Sequence, residues 1–226
     1  MERTSFLDFP KTFNFHGFTG NRKNNFPAAL INGQAGELKS EIVRKAIHSL
    51  IALSPSLAAI NKPFTVLLLM VGTLGYTFME YLRLSGVKVP LISNLTSMAS
   101  RPRDYNRFVM GPVTLGLGAL LALLLYPSPA AAIGIYAIAF GDSLAGLVGK
   151  FLGRRHPAFL CGKSVEGCMA CFAAVLVSSY AVSGSMHIAF AAALTAMSVE
   201  ALPLEDYDNL VLPVTVGLAV QLAGLW

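Results

Sequence analysis

The sequence predicts an all-α polytopic integral membrane protein, with about seven transmembrane helices in one bundle and a cytoplasmic amino terminus. Three observations point there. Of 226 residues, 54% are hydrophobic and only 13% charged, and the mean hydropathy of +0.61 lies outside the range of soluble domains. Apolar runs, several near the minimum of about 17 residues needed to cross a bilayer, follow one another from residue 42 to the end. The alternating topology those runs impose puts 16 of the 17 Lys and Arg residues on one side.

Residues 1–40 are polar, with Phe6, Phe9, Phe13, Phe15, Phe18 and Phe26 scattered among Pro, Gly and Asn. They lack the apolar core of a signal peptide, so no cleaved leader is expected, and they are read as a cytoplasmic or interfacial tail ahead of a membrane domain at 41–226. Spans are expected near 42–60, 63–82, 109–126, 129–149, 166–183, 185–202 and 209–226. Asn61-Lys62-Pro63, Pro127-Ser128-Pro129 and Gly184 are short breaks that join spans into hairpins, whereas 83–108, 150–165 and 203–208 are longer or more charged. Lys62 alone among the cations falls on the far face, so the positive-inside rule places the tail and the three charged intervals in the cytoplasm. All 12 acids also lie on or towards that face. Acids contribute little to topology, so their gathering there indicates a site.

The net charge of +5 raises the question of nucleic acid. The cations lie beside spans, where orientation and anionic ligands or headgroups account for them, and no nucleic-acid partner is expected. Cys161, Cys168 and Cys171 are an odd number with two inside a span, which fits neither a disulfide framework nor a four-ligand zinc site.

Asp142 stands within the apolar run from Pro129 to Val148, where a carboxylate costs about 2.5–3.5 kcal/mol on insertion scales, and it is therefore a functional candidate. Gly141, Ala145, Gly149 and Gly153 recur every four residues beside it, a stripe that admits either another helix or a phosphate-bearing ligand. The loop that follows supplies Arg154, Arg155, His156 and Lys163, then Ser164 and Glu166: cations for phosphate next to carboxylates for Mg²⁺. Gly162-Lys163-Ser164 is not a P-loop, because Pro157 occupies the position of that motif's first glycine.

The first span opens with Glu41, Arg44, Lys45 and His48 on one helical face. Cations at span ends commonly snorkel, but His48 lies a turn deeper and needs a partner. Arg101, Arg103 and Arg107 precede Gly111-Pro112 and suit phosphate or headgroup oxygens. Asn94-Leu95-Thr96 has the glycosylation pattern on the side where modification does not occur. Glu200, Asp208 and Asn209 flank the solvated Glu205-Asp206 turn at the membrane boundary and offer oxygen ligands for Mg²⁺.

Four stretches taken together, Arg44-Lys45-x-x-His48, Gly141-Asp142-x-x-Ala145-x-x-x-Gly149, Lys163-Ser164-x-Glu166-Gly167, and Glu200-Ala-Leu-Pro203 with Asp208-Asn209-Leu210-x-x-Pro213, resemble the CTP-dependent lipid-alcohol kinases. That group includes polyprenol (dolichol) kinase, phytol kinase and the fungal type of diacylglycerol kinase. Arg107-x-x-x-Gly111-Pro112 resembles the segment before that family's third span.

The resemblance covers about Glu41 to Pro213 and implies transfer of the γ-phosphoryl group of CTP, with a divalent cation such as Mg²⁺, to the hydroxyl of a membrane lipid alcohol. It matches Arg44, Lys45, Asp142 and Gly149 to positions that matter for activity in the family. Phosphoryl transfer needs metal, cations and a positioned hydroxyl. On this reading Asp142 is metal ligand or base and Glu166 and Asp208 are further ligands. Arg44, Lys45, Lys163, Ser164 and Arg107 meet phosphates, His48 orients the acceptor, and the Gly141/Ala145/Gly149 face admits the nucleotide. The implied location is a cell membrane in a bacterium or an endoplasmic-reticulum-type membrane in a eukaryote, with the site facing the cytoplasm. Small-residue faces are compatible with a homodimer.

Two other readings fit the composition. A phosphatidate cytidylyltransferase also uses CTP and Mg²⁺ at a membrane surface, but its terminal run of histidine, paired glycines, aspartate, arginine and aspartate is missing. A transporter places its acids at the bilayer midplane rather than at one face.

Overall fold

The computed structural model describes residues 40–87 and 107–224, all within the compact unit Gly36–Trp226. Nearly all of the expected tail, the Asn94 pattern, Arg101 and Arg103 lie outside the described residues. Every regular element among the described residues is helical. Three helices, Ser40–Leu84, Ala130–Leu152 and Val165–Ser183, are long and apolar enough to cross a membrane, and Gly111–Leu125 and Met186–Glu200 are shorter and apolar.

The run from Ser40 to Leu84 is two helices. Asn61 leaves helical geometry (φ −151°, ψ 94°) and its Oδ1 accepts a hydrogen bond from the Phe64 N–H at 3.0 Å. Asn61 is thus the cap of a new helix with Pro63 in its first turn, where a missing N–H costs nothing. We call the two parts α1 (40–60, including the 3₁₀ turn Leu50–Ala52) and α2 (62–84). They fold back on each other. His48 hydrogen-bonds Asn209, whose amide reaches the Gly111 carbonyl, and Glu80 accepts from the Val109 N–H. A straight helix would separate residues 48 and 80 by about 48 Å, yet both lie within a few residues of Gly111. Asn61→Ala removes the cap and is expected to destabilise this hairpin by about 1 kcal/mol, read as a lower unfolding midpoint.

The remaining elements are α3 (Gly111–Leu125), α4 (Ala130–Tyr136), a π-helical segment (Ala137–Asp142), α5 (Ser143–Leu152), α6 (Val165–Ser183), α7 (Met186–Glu200) and α8 (Asp208–Ala223). Their positions follow the expected apolar runs to within a few residues. The π-helical segment was not expected; it carries Asp142 as its last residue, and Tyr136 and Phe140 stack across it with ring centroids 5.6 Å apart. Such segments occur often at functional sites. Ser164 caps α6 through a 3.1 Å bond from the Gly167 N–H, and Gly184, at φ 65°, ends it.

Buried Leu115, Ile133, Ile138, Val175, Leu212 and Val216 form the main core, and Ala119, Ala122, Leu123 and Ile135 a second one against Val66 and Leu69. Ile51 and Tyr126 pack on both. Close approach depends on glycine where backbones meet. A Cβ on Gly118 would stand 2.1 Å from the Asn209 carbonyl oxygen, and one on Gly134 2.4 Å from that of Pro213. Pro213 has no N–H to offer the Asn209 carbonyl four residues earlier, so that oxygen is left to pack against Gly118. The outer side of α2 leaves Leu67, Val71, Leu74 and Phe78 exposed, a surface suited to lipid rather than water.

At one end of the bundle, Glu80 is fully buried and receives Arg83 through both carboxylate oxygens, at 2.7 and 2.8 Å, besides the Val109 N–H at 3.0 Å. Arg83 also donates to the Arg107 carbonyl at 3.0 Å. Glu80 and Arg83 therefore fasten the chain that enters α3, at the same end as Gly111 and Asn209.

Candidate active site

The same end holds a cavity of about 400 Å³. Its walls come from six places in the sequence: Glu41, Arg44 and Lys45 of α1; Asp142 and the Ala145–Lys150 face of α5; His156 and Gly162–Ser164 of the loop; Gly167 and Cys168 of α6; Glu200; and Glu205 with Asp208. The segments 150–165 and 203–208, expected on one face, both line it, and Lys163 Nζ donates to Glu200 Oε1 at 3.0 Å.

Carboxylate oxygens of Asp142, Glu200 and Asp208 lie within 4.8 Å of one another. In each acid one oxygen is already occupied. Lys45 Nζ donates to Asp142 Oδ2 at 2.5 Å, Lys163 holds Glu200 Oε1, and Asp208 Oδ1 accepts its neighbour's N–H, that of Asn209, at 2.8 Å. Glu200 Oε2 is buried without a hydrogen-bond partner among the described residues. Three carboxylates against two ammonium groups leave negative charge at this point, and a buried, orphaned carboxylate oxygen such as Glu200 Oε2 is costly unless a cation meets it. This donor set, all oxygen and partly pre-bonded, fits a hard divalent cation such as Mg²⁺.

Lys45 is itself buried, and it also donates to the Asp142 carbonyl at 3.0 Å. Arg44 lies beside it, paired with Glu41 at the cavity wall. His48 is buried next to Asp142: its Nε2 lies 2.8 Å from Asn209 Oδ1 and 3.4 Å from Asp142 Oδ2.

The remaining sequence candidates divide. Ser164 lines the cavity as the cap of α6. Ala145 and Gly149 line it as well, but the Gly141–Gly149 stripe is largely filled by α6. A Cβ on Gly141 would meet Val175 and Cys171, and one on Gly149 would meet Ser164. A stripe that reads equally as ligand groove or helix seam serves here mainly as the seam. Glu166 is not in the acidic cluster; its Oε2 accepts the Arg155 N–H at 3.3 Å and tethers the basic loop. Glu200, read from the sequence as a possible oxygen ligand but not placed with Asp142 and Asp208 in the expected metal set, completes the cluster instead. Arg107 lies outside the cavity, held through its carbonyl by Arg83. Asn209 contributes a side chain to His48 and α3 rather than to the carboxylates. Thr114, which receives Asn209 Nδ2 at 3.1 Å, had no sequence signal.

Cys168 and Cys171 are buried, whereas Cys161 is exposed on the loop at φ 49°, followed by Gly162 at φ 92°. This pair of left-handed residues turns the loop so that Lys163 reaches Glu200.

The bundle and its charged end define a helical, membrane-type protein with a polar cavity. No family model, curated protein or solved structure matches the chain.

Proposed function

We propose that this chain is a multi-pass membrane kinase that transfers the γ-phosphoryl group of a nucleoside triphosphate, with CTP the expected donor, to the hydroxyl of a membrane lipid alcohol. The observation that carries the proposal is the carboxylate cluster, in which Asp142, Glu200 and Asp208 each commit one oxygen to the protein and keep another for a shared ligand. In this reading α1, α2, α3, the run from α4 through α5, α6, α7 and α8 make seven spans, and the cavity opens at the cytoplasmic rim.

Asp142, Glu200 and Asp208 would hold the divalent cation, which when bound supplies positive charge against the triphosphate. Lys45 and Lys163, already on two of those acids, neutralise phosphate oxygens from opposite walls, and Arg44 offers its forked donors once the ligand competes with Glu41. The acceptor oxygen bonds to the γ-phosphorus as the bond to the bridging oxygen breaks, and whichever carboxylate of the cluster the cation leaves uncovered takes the hydroxyl proton. The products are a lipid monophosphate and a nucleoside diphosphate. Charges positioned in advance on the cavity walls, those of Lys45 and Lys163 above all, meet the main catalytic demand of phosphoryl transfer.

The test is incubation of the purified protein with labelled CTP, ATP or GTP, Mg²⁺ and a panel of diacylglycerol, polyprenol and phytol. Label in a lipid monophosphate, with CDP released, is the expected result. Pyrophosphate with a CDP-lipid, when phosphatidate is supplied in place of the alcohols, would assign a cytidylyltransferase instead, and solute flux into proteoliposomes without nucleotide would assign a transporter.

A further inference from the structure

We infer that Asn209 and His48 form a positioning relay from α3 to Asp142, in which His48 keeps a proton on Nε2 and holds the reacting carboxylate rather than deprotonating the acceptor. The inference deepens the kinase reading and rests on it for the role of Asp142. It removes His48 from the groups that orient the acceptor directly.

The direction of every bond in the relay follows from groups that have no choice. The Gly111 carbonyl can only accept, so the Asn209 side-chain atom 3.3 Å from it is the amide nitrogen. Thr114 Oγ1 donates to the carbonyls of Met110 and Gly111, at 3.2 and 3.0 Å, which leaves its lone pairs for the same nitrogen at 3.1 Å. Asn209 must then present its oxygen to His48, and an oxygen 2.8 Å from Nε2 requires that Nε2 carry the hydrogen. The second acceptor near that N–H is Asp142 Oδ2, at 3.4 Å, which also receives Lys45. Oδ2 receives Lys45 and has the His48 ring packed 3.4 Å from it, so Oδ1 is the Asp142 oxygen left for a cavity ligand. His48 itself is absent from the cavity wall. The relay has the form by which outer residues orient ligating carboxylates, and loss of such a residue typically costs about 10–100-fold in metal affinity or activity.

The relay is tested on the full chain in detergent or nanodiscs, with ¹⁵N-labelled histidine and NMR detection of the ring nitrogens. The sequence has four histidines, and the His48 signals are those lost in His48→Gln. The expected result is a protonated Nε2 in the wild type, and loss of that single state in Asn209→Ala or in the milder Thr114→Val. A neutral ring with its proton on Nδ1 would overturn the inference, as would a His48 spectrum unchanged by Asn209→Ala. This readout stands whether or not the protein phosphorylates any lipid.

Kinetics provides the second arm. His48→Gln retains an N–H donor for Asn209 and should stay within about tenfold of wild-type kcat, whereas His48→Leu should lose about 100-fold, with KM for the nucleotide little changed in both. Equal losses in the two variants would mark His48 as a proton acceptor and defeat the relay. No activity in the wild type, with the NMR result intact, would defeat the kinase reading and leave the relay.

Discussion

Asp142→Asn is expected to slow phosphoryl transfer by about 10²–10³-fold in kcat, while leaving the bundle folded. The amide is close to isosteric, and its oxygen still accepts from Lys45, which also retains the Asp142 backbone carbonyl at 3.0 Å. What disappears is one of three negative charges within 4.8 Å. That charge has opposite effects in the two states of the site. Without metal, three carboxylates repel one another, and removing one relieves strain even as it leaves Lys45 less well matched. With metal, the same charge is a ligand, and its loss removes a fixed electrostatic contribution of the size that single preorganised groups supply in other enzymes, about 10²–10³ in rate. Mg²⁺ or Mn²⁺ should therefore raise the unfolding midpoint of the wild type and fail to raise that of the variant, because only a form that binds the ion gains stability from it. A variant that keeps about a tenth of the wild-type rate, or the full metal-induced rise, removes Asp142 from the mechanism.

Gly118→Val is expected to be the most damaging substitution away from the cavity. Its Cβ would stand 2.1 Å from the Asn209 carbonyl oxygen and 3.0 Å from Pro213 Cγ, and neither is the flexible end of a side chain. α3 and α8 must part, and overpacking of this kind costs about 1–3 kcal/mol or more. In a chain this long each kcal/mol corresponds to roughly 2–4 °C in unfolding midpoint, so a fall of several degrees is expected. The displacement also pulls Asn209 from Gly111 and Thr114, so metal affinity should drop with stability. Gly72→Ala is the control: no atom lies within 4 Å of a Cβ built there, and it should leave the midpoint unchanged or slightly higher. Equal behaviour of the two variants would show that the α3–α8 contact is looser than described.

The helices were legible in the sequence because apolar runs are long and their breaks are chemically explicit. Asn61 followed by Pro63 is a cap and a first-turn proline, and Gly184 is a left-handed stop. Asp142 and Lys45 were legible for a different reason, since ionisable groups in apolar surroundings need partners, and these two are each other's. The choice between Glu166 and Glu200 was not. Both are acids at helix ends, and only the packing of the loop decides that one turns to the Arg155 N–H and the other to Lys163. The glycine stripe was ambiguous in the same sense, because a groove for a phosphate and a seam for α6 require the same absence of side chains. The link from His48 to Asn209 joins residues 161 positions apart and depends on the orientation of an amide, which no local pattern encodes.

The left-handed turn at Cys161 and Gly162 makes the chain its own reporter. The sequence has three cysteines, and only this one is exposed. A maleimide fluorophore therefore attaches at one point without engineering, two positions before the lysine that grips Glu200. If the kinase reading holds, its emission should follow that lysine's loop in real time as nucleotide is added.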